Sequence, residues 1–260
     1  MIKRMTDKPK TCEILDVRKE AVGIHTITLD ATLDASPGQF VMLWIPGIGE
    51  KPFSLSKTQG NIEITFDVKG DFTKKLSKMK TSNLVGVRGP YGRGWNLNGA
   101  KKVAIVTGGL GMAPLMPVVE LLRENCSVAY GTRSIDLIKF GKRLNGIDVI
   151  YTTDDGSFGK KCHACDMLPE ILATGEYDLV LSCGPELLMK KVSDICKKEG
   201  IKCQVSLERY MKCGMGICGS CVLDGNGVCV CTQGPVFPTE ELEGTEFGTM
   251  NHRGMSGGHD

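Results

Sequence analysis

No apolar run in the sequence approaches the roughly 18 residues that a membrane-spanning helix requires, so no such helix is expected. There is no Lys/Arg-rich block, and a net charge of +2 supplies neither a basic arm nor a basic face for nucleic acid. The opening Met1-Ile-Lys-Arg-Met-Thr-Asp-Lys8 is too polar for a secretory signal, which makes the cytoplasm the expected location. Internal repeats are absent. A disulfide framework is also excluded as a reading: a 260-residue chain with no export signal turns its 12 cysteines to metal or redox chemistry. Cys12, Cys126, Cys196 and Cys203 are scattered and read as core packing. Five others, Cys213, Cys218, Cys221, Cys229 and Cys231, crowd one short stretch.

The first third reads as β structure. Ala21–Leu29 and Ile62–Val68 contain alternating stretches, Gln39–Ile45 is apolar, and Gly/Pro/Asn punctuation separates them. Short strands with little helix predict a small antiparallel barrel, with one helical turn at Phe72–Met79. From about Gly99 the character changes. Apolar strands at Lys102–Thr107, Ser127–Tyr130, Ile147–Thr152, Asp178–Ser182 and Lys202–Leu207 alternate with helices predicted at Pro114–Arg123, Ile135–Arg143 and Pro185–Lys198. That alternation indicates an α/β doubly wound parallel sheet covered on both faces. The expected division is 1–98 for the barrel, 99–205 for the sheet, 206–238 for a cysteine-rich region and 239–260 for a flexible tail. His252 and His259 in that tail read as exposed side chains, not ligands.

Cys213-Gly-Met-Gly-Ile-Cys218-Gly-Ser-Cys221, with a later cysteine, has the C-x4-C-x2-C…C spacing of plant-type [2Fe–2S] sites. Two irons need four thiolates from several directions, so a loop must wrap around them. Gly214, Gly216 and Gly219 allow tight backbone and bring amide N–H groups to the sulfurs. The competing reading is a zinc knuckle, which usually pairs two Cys-x2-Cys units or adds histidine. Spacing leaves Cys229 and Cys231 both open as the fourth ligand, since strand alternation would put them on one face. Cys162-His-Ala-Cys165 has no second pair near it in sequence, and metal binding there is the minority reading.

Thr107-Gly-Gly-Leu-Gly-Met-Ala-Pro114 follows an apolar strand and opens a helix. Gly108, Gly109 and Gly111 let backbone amides approach a diphosphate, the helix N-terminus favours negative charge, and Pro114 suits the first turn. The plainer alternative is a tight turn. Cys183-Gly184-Pro185 ends another strand of the same sheet and should face the same crevice, although a buried structural cysteine would also sit at such a strand end.

Taken in order, these segments resemble the ferredoxin–NADP reductase superfamily over nearly the whole chain to about Phe237. The landmarks are Pro37-Gly-Gln-Phe-Val41, Lys51-Pro-Phe-Ser-Leu-Ser56, Gly89-Pro-Tyr-Gly92, Thr107–Pro114 and Cys183–Pro185. The resemblance implies a flavin, FAD, held by Lys51, Pro52, Phe53, Ser54 and Leu55 with Gly89, Pro90, Tyr91 and Gly92, and a catalytic hydroxyl at Ser54. It implies a nicotinamide nucleotide at Gly108, Gly109, Gly111, Pro114, Cys183, Gly184 and Pro185, with Cys183, like Ser54, as a catalytic residue. NAD is the expected dinucleotide, and Arg133 in Gly131-Thr-Arg-Ser134 leaves NADP as the alternative. Lys51 stands where the superfamily usually has Arg, which loses bidentate phosphate binding; Arg88 is the candidate to compensate.

Within the superfamily, Ser206–Cys213 and Cys231-Thr-Gln-Gly-Pro-Val-Phe237 resemble the electron-transfer subunits of heteromeric dihydroorotate dehydrogenases. That resemblance selects Cys231 as the fourth ligand beside Cys213, Cys218 and Cys221. It implies a heterotetramer with a separate flavin-containing catalytic subunit that oxidises dihydroorotate, the electrons passing through this chain to NAD. The rival readings are a diaphorase-type subunit of a cytoplasmic hydrogenase or sulfhydrogenase, the small subunit of a ferredoxin:NADP transhydrogenase, and a zinc-stabilised nucleotide-binding module without redox turnover.

Overall fold

A computed structural model describes residues 8–249. Six antiparallel strands, β1 (Lys10–Ala21), β2 (Ile24–Leu29), β3 (Phe40–Ile45), β4 (Gly49–Lys57), β5 (Glu63–Asp67) and β6 (Leu84–Tyr91), close a barrel in the order β1-β2-β5-β4-β3-β6. Inward-facing Ile14, Ile27, Val41, Leu43, Leu55 and Ile64 fill it. The short helix α1 (Asp71–Leu76) plugs one end with Phe72 and Leu76. Strands β1, β4 and β6 were not among the expected ones.

The second layer is a six-stranded sheet ordered β12-β11-β10-β7-β8-β9. Its strands are β7 (Val103–Gly108), β8 (Cys126–Thr132), β9 (Asp148–Thr153), β10 (Leu179–Cys183), β11 (Lys202–Ser206) and β12 (Val236–Pro238). All neighbours are parallel except β12, which pairs antiparallel with β11. Every residue of β7 is buried, as a strand covered on both faces requires. Helix α2 (Met112–Leu122) packs on one face, and α3 (Leu168–Leu172) and α4 (Glu186–Glu199) on the other. Helix α4 buries Met189, Val192 and Cys196 and stops where Gly200, at φ +69°, returns its N–H to the Cys196 carbonyl. The chain leaves β7 towards β8 on one side and reaches β10 on the other, so a crevice opens at the carboxyl ends of β7 and β10. The last short helix is α5 (Val230–Gln233).

Three expectations are corrected. Ile135–Arg143 is not a helix: a single 3-10 turn, Ile135–Leu137, gives way to irregular chain, with Phe140 at φ +60° followed by Gly141. Cys231 lies in α5, not on a strand, so the alternation argument linking it to Cys229 does not apply. Of the segment expected as a flexible tail, residues 239–249 are packed, with Leu242, Glu246 and Phe247 buried. His252 and His259 lie outside the described residues.

Candidate functional site

The barrel contributes a row across β4, β3 and β6 in which Ser54 and Tyr91 both lie opposite Phe40. Ser54 is half-buried, and its hydroxyl makes no hydrogen bond among the described residues. Phe53 sits edge-on to Phe66, with ring centroids 6.1 Å apart, and packs against Phe72 of α1. Arg88, the candidate to compensate for Lys51, has its guanidinium engaged by neighbouring side chains. Its guanidinium is committed to Glu50 at 2.6 and 2.5 Å and donates to Tyr91 Oη at 3.1 Å. The Glu50 bonds hold it firmly protonated.

The crevice joins the two strand ends directly. Thr107 Oγ1 donates to the Cys183 carbonyl at 2.8 Å, and a Cβ at Gly111 would stand 2.2 Å from that same oxygen. Only glycine permits this approach. Cys183 Sγ contacts the Ser206 carbonyl at 3.6 Å, and burial pushes the thiol up to about 12. It is therefore a neutral thiol at physiological pH, unsuited to nucleophilic attack. Tyr130, which sequence reading passed over, donates its hydroxyl to the Gly109 carbonyl at 3.2 Å.

The chain between β11 and α5 forms a loop of turns that gathers the thiols. Cys213 and Cys218 interact through their side chains, as do Cys221 and Cys231. Backbone N–H groups point at the sulfurs: Met215 to Cys213 at 3.4 Å, Gly216 to Cys231 at 3.2 Å and Cys231 to Cys221 at 3.3 Å. Burial raises the Cys218 thiol, but the Ser220 hydroxyl and amide and the Cys213 contact outweigh it and bring it to about 6. Hydrogen bonding with Cys231 lowers Cys221 to about 6 and raises Cys231, as expected of two thiols sharing one proton. Two thiol pairs ringed by amides form a donor set suited to two irons, each taking two sulfurs. Among the described residues no group of three His, Cys, Asp or Glu side chains is arranged to hold a single metal ion. Cys229 also touches Cys221, so proximity alone does not separate it from Cys231. Cys12, Cys126, Cys196 and Cys203 are buried, as expected of packing residues.

The thiol loop lies against the barrel. A Cβ at Gly214, which has φ +73°, would be 2.9 Å from Met42 and 3.6 Å from Tyr91, and the Lys51 ammonium lies 5.1 Å from the Tyr210 ring centre. A second anchor, also missed from sequence, is the buried guanidinium of Arg209. It donates to Glu246 at 2.9 Å and to Glu186 at 2.8 Å, pinning the start of the loop to the turn after Cys183-Gly-Pro185.

Residues 208–243 match the model of the iron–sulfur cluster binding domain of dihydroorotate dehydrogenase B. A relative from Methanocaldococcus jannaschii is 41% identical over 243 residues, covering 91% of this chain and 92% of its own length. One from Pyrococcus abyssi is 43% identical over 235 residues, with 89% and 90% covered. Both are named "Probable dihydroorotate dehydrogenase B (NAD(+)), electron transfer subunit". The chain belongs to that family. Among solved structures, a chain of the NADH-dependent reduced ferredoxin–NADP oxidoreductase superposes with TM-score 0.82 at 26% identity, covering 91% of this chain and 90% of its own. A ferredoxin–NADP+ reductase from Plasmodium falciparum shares the fold, with TM-score 0.64 at 16% identity over 80% of this chain and 99% of its own. The expected barrel, parallel sheet and cysteine-rich region of the dihydroorotate dehydrogenase B family are thus all present. No helix among the described residues is long and apolar enough to cross a membrane.

Proposed function

We propose that this member of the dihydroorotate dehydrogenase B family carries electrons from a separate, flavin-containing catalytic subunit through a [2Fe–2S] cluster and FAD to NAD. The observation that supports this most is the contact between the flavin segment and the thiol loop, Lys51 on Tyr210 and Gly214 on Met42 and Tyr91. An electron relay needs its stations adjacent, and here two segments 160 or so residues apart in sequence are packed together on the barrel. When bound, the flavin supplies exchange between hydride and single-electron chemistry, and the cluster supplies one-electron relay.

The residues divide the work. Lys51, Pro52, Phe53, Ser54 and Leu55 with Gly89, Pro90, Tyr91 and Gly92 would hold the flavin, the unengaged Ser54 hydroxyl being free to donate to it. Gly108, Gly109, Gly111, Pro114, Cys183, Gly184 and Pro185 would seat the dinucleotide, with Cys183 lining the nicotinamide pocket as a neutral thiol. Cys213, Cys218, Cys221 and Cys231 would ligate the cluster, their amide contacts stabilising its negative charge. In this reading residues 1–98, 99–205 and 206–238 serve flavin, dinucleotide and cluster in turn. The assembly is a cytoplasmic heterotetramer with the catalytic subunit.

Anaerobically purified protein should show flavin absorbance over a [2Fe–2S] spectrum, with about two irons per chain. It should pass electrons from NADH to dyes, leave dihydroorotate unchanged, and support dihydroorotate-dependent NAD reduction once the catalytic subunit is added. Zinc in place of iron would sink the redox reading. A co-purifying hydrogenase would keep electron transfer and remove dihydroorotate.

A further inference from the structure

Arg143 stands in the irregular segment after β8 that replaces the expected helix. The left-handed backbone at Phe140, φ +60°, closes a turn in which the Arg143 and Leu144 N–H groups both return to the Phe140 carbonyl. The Arg143 guanidinium lies 5.6 Å from the Phe140 ring centre and reaches from the sheet to the barrel. There it meets three partners on three elements. Its Nε and Nη2 fork onto Glu120, near the end of α2, at 2.7 and 2.9 Å. Nη2 also donates to the Ser56 carbonyl of β4 at 2.7 Å, and Nη1 faces Glu63 of β5 at 3.6 Å. Glu63 is shared with Arg18 of β1 at 2.9 Å, so the tie continues around the barrel.

The Ser56 carbonyl is available for a structural reason. Pairing of β4 with β5 slips from Leu55–Ile64 to Lys57–Glu63, which makes Ser56 the extra residue of a bulge. Such a residue is left out of the ladder, and bulges concentrate beside functional sites. Thr65 holds the buried Ser56 hydroxyl at 2.9 Å inside the barrel, so the carbonyl that Arg143 takes has a fixed position. Ser54 lies two positions earlier on the same strand. The other end of α2 is anchored as well. The buried Trp95 donates Nε1 to the Pro114 carbonyl at 3.1 Å and its backbone N–H to the Pro37 carbonyl at 2.9 Å. Pro37 leads through Gln39 into Phe40, which lies opposite Ser54. Helix α2 is therefore bolted to the barrel at Pro114, beside the glycine turn, and again at Glu120, about 9 Å further along its axis.

We propose that Arg143 is a positioning residue for hydride transfer: it fixes α2, and with it the glycine turn, against the strand that carries Ser54. The proposal rests on the flavin and dinucleotide reading above. The transfer breaks a C–H bond of the reduced nicotinamide and forms an N–H bond on the flavin, both electrons travelling with the hydrogen. Arg143 exchanges neither proton nor electron. Its effect is geometric, and a misplacement of about 1 Å at the reacting atoms costs on the order of 100-fold in rate. Without Arg143 the helix keeps its Trp95 anchor and the turn keeps its packing on Cys183 and Pro185. Dinucleotide binding should therefore survive while the two rings lose their alignment.

The test uses the full chain loaded with flavin and cluster, mixed anaerobically with NADH in a stopped-flow spectrometer, as wild type, Arg143→Met, Arg143→Lys and Glu120→Ala. Arg143→Met should lower the limiting rate of flavin reduction about 10- to 100-fold and weaken the long-wavelength charge-transfer absorbance of the nicotinamide–flavin pair. NAD affinity by calorimetry should stay within about 3-fold, with flavin and iron contents at wild-type levels. Lysine reaches one acceptor where arginine forks onto two, so Arg143→Lys should recover part of the loss. Glu120→Ala should slow reduction less than Arg143→Met, and adding it to Arg143→Met should cost little more, because the two act through one contact. A folded Arg143→Met with wild-type limiting rate and charge-transfer absorbance would overturn the proposal, leaving Arg143 a purely structural tie. So would a rate loss matched by an equal loss of NAD affinity, which would move Arg143 into the binding site. If Arg143→Met failed to fold, wild-type rates in both Arg143→Lys and Glu120→Ala would overturn it. Wild-type protein whose flavin neither NADH nor NADPH reduces would instead bring down the flavin and dinucleotide reading itself.

Discussion

The two glycine-rich segments of this chain are built on opposite principles. The turn at Gly108–Gly111 is clamped between buried strands, and Gly111 is required there because backbone meets backbone: a Cβ would strike the Cys183 carbonyl at 2.2 Å. The thiol loop from Cys213 to Cys221 has no helix or strand. Its shape rests on positive-φ glycines at 214, 216 and 219 and on amides turned towards sulfur. Packing against Cys183 and Pro185 dominates the first. The second is specified by the chemistry of its thiols and should order fully only when they are ligated.

The largest expected effect therefore lies in the loop. Cys231→Ser should strip or perturb the cluster and abolish dihydroorotate-dependent NAD reduction by the assembled complex, while NADH-to-dye activity survives if flavin is retained. Iron content and electron paramagnetic resonance would report this. Cys229→Ser should leave the cluster largely intact, although Cys229 also touches Cys221. The reverse result would transfer the fourth ligand to Cys229 and break the assignment drawn from the Cys231–Phe237 segment.

The loop is not independent of the sheet, because Arg209 ties its start to Glu186 and Glu246. All three side chains are almost completely buried. Arg209→Met would remove the guanidinium from this buried ionic group, a loss of about 3–5 kcal/mol when one member of such a group is removed. Denaturant melts should show this, together with easier proteolysis of residues 239–249 where Glu246 is released. A neutral melt would mean that loop and sheet are coupled through packing instead.

Legibility in the sequence follows the same division. The apolar strands β7, β8 and β10 and the glycine turn were readable because burial on both faces leaves an uninterrupted pattern. The cysteine spacing was readable because ligation chemistry is local. Strand β1 was not: it is twelve residues long, carries Glu13, Asp16, Arg18 and Lys19, and exposed Leu15 breaks the alternation. Strand β6 is obscured by Gly86 and Gly89. Apolar spacing at Ile135–Arg143 imitated a helix that Phe140, in left-handed backbone, interrupts before Gly141. Contacts between distant residues left no local trace. Nothing near Arg88 announces Glu50, nothing near Arg209 announces Glu246, and nothing in Lys139 announces burial.

The turn itself can be tested at Gly111. Gly111→Ala would force Cβ into the Cys183 backbone, so β7 and β10 must part at their carboxyl ends. Overpacking of this kind costs about 1–3 kcal/mol. NAD affinity should fall along with stability, while flavin and iron content remain at wild-type levels. Loss of iron would show that the two segments are coupled more tightly than their contacts suggest.

The smallest effect concerns Lys139, and its sign is opposite to that of the other substitutions. The folded protein holds this ammonium at about 8, below the ordinary lysine value of 10.5. Between these values the unfolded chain binds more protons than the folded one, so stability rises with pH across that window. Below pH 8 the folded state carries the full burden of a buried, unpaired charge. Lys139→Met removes it at similar side-chain length and should raise stability at pH 7 by on the order of 1–2 kcal/mol. The advantage should shrink as pH climbs from 8 and vanish above about 10.5, where wild-type Lys139 is neutral in both states. Thermal melts of the two proteins at pH 7, 9 and 10.5 would trace it. A variant that is less stable at every pH would mean that the ammonium is already paired in the free protein.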